Sequence, residues 1–226
     1  MNNPTRAAQE RIYRELYEKH KGTTMAVSSE SPAHKRLRFM QITDIFAHEE
    51  TCTVHDVGMG LADMYAFIQE RWPEKDITYS GTEILEEYVE ACKGRFPELA
   101  FHHRDLADRP GEDQYDYVVM SGVFHQRRES TIRDWEAFSQ NIIRNSFAMC
   151  KKGVAFNFIS PFVDFYQTQV YYANLPKLLN FINDDLSRFF EIRHNYALFE
   201  FTVYVYKEEY IHARHPQPEF SKYFKV

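Results

Sequence analysis

Between residues 51 and 158 short β-rich runs alternate with amphipathic helical segments, and that alternation admits few folds. Residues 53–57, 77–80, 99–103, 115–120 and 153–158 read as strands. Residues 62–71, 84–96 and 130–150 read as helices, the first two stopped by Pro73 and Pro97. Strands joined through helices pair in parallel by right-handed crossovers. The last part of the chain differs: 190–196 and 200–207 are two β-rich runs with only a short turn between them, so an antiparallel hairpin is expected to end the sheet. Between 158 and 190 come an aromatic segment, 161–172, and a helix starting near Pro176 with Asn174 as its candidate cap.

Ahead of this array the chain reads as two helices. Ile12, Tyr13, Leu16 and Tyr17 form one apolar stripe, and Leu37, Met40, Ile42, Ile45 and Phe46 are the expected inward positions of a helix over 33–47. Gly22-Thr-Thr and Ser28-Ser-Glu-Ser-Pro32 break the segments. No linker-like stretch divides the sequence, so a single domain over 1–226 is expected, with 1–48 as a helical lid, 50–207 as the core and 208–226 as a tail.

Composition narrows the function. Hydrophobic residues at 44% and charged residues at 27% describe a globular chain. The net charge of −6 disfavours a nucleic acid as the main partner, because phosphate binding needs cations. No apolar run reaches the roughly 18 residues of a membrane helix, and the polar N-terminus does not resemble a signal peptide. Cys52, Cys92 and Cys150 are odd in number and far apart, which excludes a disulfide framework and a four-thiolate zinc site and suits the cytoplasm. His102 and His103 are strand neighbours pointing to opposite faces, and His212 and His215 sit in a polar tail, so no metal site is expected.

The chemistry-bearing residues fall at strand ends. His55-Asp-Val-Gly-Met-Gly-Leu-Ala62 runs from a strand through two glycines into a helix, a loop that lets the backbone approach a ligand. A dinucleotide site would close G-x-G-x-x-G at position 63, which here is Asp63. Asp56 repels a pyrophosphate but suits a ligand carrying an ammonium group. Glu83, at the end of the second strand, can accept from a ribose diol; Asp105, after the third, can accept from an adenine amino group. Three carboxylates at the carboxyl ends of three successive strands form a far more specific set than any one of them.

Together these residues resemble the class I S-adenosylmethionine-dependent methyltransferases. The glycine-rich motif is matched by Asp56-Val-Gly-Met-Gly60, the ribose-binding acid by Glu83 with Ile84, the adenine-contacting acid by Asp105 with Leu106, and the next strand by 115–121, ending in Ser121. The closing hairpin matches as well. Ala62 stands where the family usually has a third glycine, and Ser121-Gly-Val-Phe124 replaces an Asn-Pro-Pro-Tyr motif, which disfavours DNA and glutamine N-methylation. The resemblance implies a Rossmann-like, doubly wound α/β sheet of seven strands under an N-terminal helical lid. It implies S-adenosylmethionine as cofactor, S-adenosylhomocysteine as product, and Asp56, Gly58, Gly60, Glu83, Ile84, Asp105, Leu106 and Ser121 as cofactor contacts.

Further candidates follow from position. Arg38 is expected to clamp the cofactor's carboxylate. His125, after the fourth strand, and Tyr172 are the candidate catalytic groups, His125 as a general base. Tyr13, Tyr17, Phe124 and Tyr171 are candidate substrate contacts, with Phe165 a further ring for the wall. The expected reaction is methyl transfer to a small metabolite of a biosynthetic pathway, by a monomer or homodimer. Two alternatives remain: a cyclase of the same fold that forms azetidine-2-carboxylate from the cofactor and releases methylthioadenosine, and a non-catalytic binding module.

Overall fold

The computed structural model describes residues 4–20 and 31–224, so the breakers expected at 22–24 and 28–30 lie outside the described residues. The elements are α1 (Pro4–His20), α2 (Pro32–Thr43), β1 (Thr51–Val57), α3 (Asp63–Arg71), β2 (Asp76–Glu83), α4 (Glu86–Arg95), β3 (Ala100–His103), β4 (Tyr115–Met120), α5 (Ile132–Met149), β5 (Cys150–Ile159), α6 (Leu175–Phe181), β6 (Phe190–Arg193), β7 (Glu200–Tyr206) and α7 (Glu208–Arg214). They build one seven-stranded sheet in the order β3-β2-β1-β4-β5-β7-β6. The first five strands are parallel and β7 runs antiparallel between β5 and β6, so the expected sheet and hairpin are both present.

Strand identity follows from burial on both faces. In β4, Tyr117, Val118, Val119 and Met120 are all buried, the continuous apolar run of a central parallel strand. One face packs on α5, where Trp135, Phe138, Ile142, Ile143, Phe147 and Met149 recur at helical spacing. The side chain of Thr131 caps this helix by accepting from the Asp134 amide at 3.1 Å. The other face packs on α2, the helical turn Asp44–Phe46 that follows it, and α3, through Ile42, Ile45, Phe46, Met64 and Ile68. Asn174 caps α6, accepting from the Lys177 amide at 3.1 Å.

Three expectations need correction. The strand expected to stop at Ser80 continues to Glu83. Gly81 is inside it, paired with Asp56 on one side and Phe101 on the other. It is glycine because a Cβ there would run into Met59. Met40 is exposed, because the inward face of α2 passes through Phe39, Ile42 and Thr43. The polar tail contains α7, whose Tyr210 hydroxyl meets that of Tyr117 at 3.1 Å.

Candidate active site

The carboxyl ends of β1, β2 and β4 open into a cavity of about 520 Å³, within the roughly 300–1,000 Å³ usual for small-molecule sites. The turn after β1 forms its floor. Gly58 and Gly60 adopt φ of +71° and +55°, the left-handed region that glycine enters without strain. The Gly58 amide donates to the Thr82 carbonyl at 2.9 Å, tying the turn to β2. A Cβ on Gly58 would lie 2.8 Å from Val123 Cγ2, so this close approach also requires glycine.

Two carboxylates meet at this floor, a buried Asp56 and a half-buried Glu83. Asp56 is 2% exposed. Its Oδ2 accepts from the Tyr79 hydroxyl at 2.7 Å, and its Oδ1 has no hydrogen-bond partner among the described residues. Burial, with a smaller contribution from Glu83, pushes the Asp56 carboxyl up to about 7 against the opposing Tyr79 hydrogen bond. Glu83 accepts from the Gly60 amide at 3.1 Å and from the Ile84 amide at 2.7 Å. Burial raises its pKa, against those amides. Asp105 caps its own turn by accepting from the Ala107 amide at 2.8 Å and pairs with Arg6 of α1 at 3.1 Å. Asp56, Glu83, Ile84, Asp105, Leu106 and Ser121 all line the one cavity.

Helix α1 lies across this edge. Besides the Arg6–Asp105 pair, Gln9 donates to the Gln126 carbonyl at 2.9 Å and Arg14 pairs with Glu87 at 2.9 Å. Tyr13 faces the cavity; burial first, then the charge of Glu83, pushes its phenol up to about 12. Tyr17 does not face it. Its ring meets Tyr88 edge-on at 5.1 Å, over a separate groove between α1 and α4.

The opposite wall carries a buried polar network. Arg38 donates from Nε and Nη2 to the two oxygens of Glu200 at 2.8 and 2.5 Å. Asn157 Nδ2 donates to Glu200 Oε2 at 2.6 Å and stands 3.1 Å from His125 Nε2. Asn157 Oδ1 accepts from the Gly122 amide at 2.8 Å. Burial lowers the His125 pKa to about 4, overriding the Glu200 charge that raises it. Glu200 stays on the ionised side: His125, Arg38 and Asn157 together outweigh its burial.

This geometry corrects several sequence expectations. His125 lines the cavity, but its Nε2 is engaged with the Asn157 amide nitrogen at 3.1 Å, so that nitrogen is not free to act as a base. Arg38 lines the cavity with most of its guanidinium committed to Glu200. Phe124 is wholly buried against Phe156 and Phe158, turned into the core where its neighbour His125 turns to the cavity. Tyr171 is buried too, its hydroxyl donating to Glu136 at 3.0 Å, whereas Tyr172 lines the cavity and its hydroxyl accepts from the Gln167 amide at 2.8 Å. Phe165 stands at the mouth. Asn157, Glu200 and Gln9 were not anticipated; the available signal was an amide inside the apolar run of β5 and an acid opening the apolar run of β7. Among the described residues no cluster of three or more His, Cys, Asp or Glu side chains is arranged to hold a metal, and no helix is long and apolar enough to cross a membrane.

The chain is similar to a known protein in sequence and to solved structures in fold. No protein-family model matches the chain. A Mycobacterium tuberculosis protein named "Putative methyltransferase Rv1506c" is 27% identical over 157 residues, 69% of this chain and 93% of that one. The magnesium protoporphyrin IX methyltransferase of Synechocystis, solved with bound S-adenosylhomocysteine, superposes with a TM-score of 0.63 at 11% identity, covering 90% of this chain and 99% of that one. The 1,6-didemethyltoxoflavin-N1-methyltransferase of Burkholderia thailandensis, solved with its substrate and S-adenosylhomocysteine, gives 0.60 at 13% identity, covering 89% and 88%.

Proposed function

We propose that this chain, a class I S-adenosylmethionine-dependent methyltransferase by fold and by sequence relationship, binds S-adenosylmethionine over its glycine turn and transfers the methyl group to a small molecule. The observation that carries this reading is Asp56 Oδ1, a buried carboxylate oxygen without a partner among the described residues, in a cavity that Glu83 and Asp105 also line. A cation is the ligand group that such an oxygen accepts most readily. The fit holds on chemistry: Asp56 suits an ammonium, Glu83 retains lone pairs for a ribose diol beyond the amides it accepts from, and Asp105 with Leu106 borders the remaining edge.

When bound, S-adenosylmethionine supplies an activated methyl group on a sulfonium leaving group. The chain's residues then have to position and to exclude water. Gly58 and Gly60 give the ligand access to the backbone. Helix α1, tied down by Arg6, Gln9 and Arg14, closes the edge and brings Tyr13 to the cavity. Tyr13 stays a neutral phenol at physiological pH and offers a ring face to a cation. The acceptor occupies the other end, between His125 and the rings of Phe165, Tyr172 and Phe199. Two solved neighbours are methyltransferases whose names specify small-molecule substrates, which supports a small molecule here, a metabolite of a biosynthetic pathway.

The test is product analysis. Protein incubated with S-adenosylmethionine and a metabolite mixture should release S-adenosylhomocysteine only when the mixture is present. Methylthioadenosine formed from S-adenosylmethionine alone would assign the chain to cyclisation instead. Absence of both products, with no binding of S-adenosylhomocysteine, would leave a non-catalytic module.

A further inference from the structure

Resting on the methyl-transfer reading, we propose that His125 is a fixed hydrogen-bond donor and not a base, and that it selects a flat aromatic acceptor substrate carrying an oxygen or nitrogen acceptor atom beside its nucleophile.

The first half follows from the orientation of Asn157. Its Oδ1 accepts from the Gly122 backbone amide at 2.8 Å, and an amide N–H can only donate. The other end of the carboxamide, Nδ2, is therefore the one that faces Glu200 Oε2 at 2.6 Å and His125 Nε2 at 3.1 Å. Glu200 cannot reverse this, because Arg38 donates to both its oxygens and holds it ionised. A donor facing Nε2 means that Nε2 carries the lone pair, so the proton of the neutral imidazole sits on Nδ1. Nδ1 makes no hydrogen bond to the described residues and is not among the fully enclosed polar atoms, and His125 is part of the cavity wall. The ring thus offers the cavity one N–H and no free lone pair. A general base needs the reverse. The acceptor must accordingly reach the site with its nucleophilic lone pair already free, as a phenolate, a carboxylate or an aromatic ring nitrogen does.

The second half follows from the outer wall. Phe165 and Phe199 line the cavity yet are 58% and 47% exposed, and they meet edge-on with centroids 6.3 Å apart. Tyr172 lines the same end, with the Tyr166 ring 4.7 Å from it. Large rings left in water at a cavity mouth mark a binding surface. Ring faces and edges pack best on another flat ring. The acceptor then spans the site with its acceptor atom on His125 Nδ1–H and its plane against the mouth.

The test uses protein saturated with S-adenosylhomocysteine and four probes, read by calorimetry: 8-hydroxyquinoline and salicylate, which have both features; naphthalene, which has no acceptor atom; and 2-hydroxycyclohexanecarboxylate, which is not flat. The first two should bind at least tenfold tighter than the last two. His125→Asn, whose amide nitrogen reaches the Nδ1 position, should keep most of the 8-hydroxyquinoline affinity; His125→Phe should lose it about tenfold, and Phe199→Ala should weaken the flat probes alone. Long-range proton–nitrogen NMR, with His125 assigned from the Asn variant, should show a protonated Nδ1 and a bare Nε2. Equal binding by the saturated probe, no binding by any probe, or a protonated Nε2 overturns the inference. Failure of S-adenosylhomocysteine itself to bind overturns the underlying reading, and the first step of the titration separates the two failures.

Discussion

Asp56 makes cofactor binding a proton-linked event. In the free protein burial pushes its carboxyl up to about 7, and the like charge of Glu83 adds to the shift. An ammonium group at Oδ1 reverses that balance and holds the carboxylate ionised. Binding must then expel a proton wherever the free carboxyl is protonated. With a free pKa of about 7 and the bound carboxylate held ionised throughout, the affinity for S-adenosylhomocysteine should rise about tenfold between pH 6 and pH 8. Calorimetry at pH 6, in buffers of different ionisation heat, should find close to one proton released. Glu83, also raised by burial, can add to the slope in the same direction, so the variant is decisive. Asp56→Asn keeps an acceptor for the Tyr79 hydroxyl but loses the charge; it should bind about tenfold weaker or worse at pH 8 and with a flatter pH dependence. Unchanged affinity across the range in the wild-type protein, or the same slope in the variant, would refute the reasoning.

Gly58→Val should abolish thermal protection by S-adenosylhomocysteine, because a β-branched residue must take φ +71° with its Cβ 2.8 Å from Val123; a normal thermal shift would move the ligand away from this turn. His55 donates to or accepts from Ser80 and Thr82 in full burial, and its pKa falls to about 3, chiefly by desolvation. The unfolded chain protonates it near 6.5 and the folded chain does not, so stability should decline as pH drops from about 6.5 toward 3, by up to roughly 4–5 kcal/mol. Denaturant titrations of His55→Gln should show a shallower decline, and an equal one would contradict this. Phe124→Ala should cost about 3–5 kcal/mol of stability, measured by urea unfolding, while leaving S-adenosylhomocysteine affinity intact; the opposite pattern would return Phe124 to the cavity.

How much of this was legible in the sequence depended on range. The run Tyr115–Met120 was readable to its boundaries because a central parallel strand is apolar on both faces. The turn from Asp56 to Gly60 was readable because its demands are local. Gly81 misled, since glycine is a common breaker signal and here serves the approach of Met59. Side-chain direction in loops was not readable. Phe124 and His125, and likewise Tyr171 and Tyr172, are neighbours that turn to opposite sides, and no periodicity in those segments says which turns inward. The Arg38–Glu200–Asn157–His125 network was out of reach. Arg38 and Glu200 are 162 positions apart, and Glu200 approaches Asn157 only through the antiparallel register that sets Ile159 opposite Glu200.

A crystal structure of the protein soaked in S-adenosylhomocysteine tests the central claim most directly. The account predicts the ligand's ammonium on Asp56 Oδ1, its ribose hydroxyls on Glu83 and its adenine beside Asp105 and Leu106, with the sulfur facing the end of the cavity that His125 and Tyr172 line. A ligand bound away from the turn at Gly58 and Gly60, or an empty cavity at saturating concentration, would contradict it.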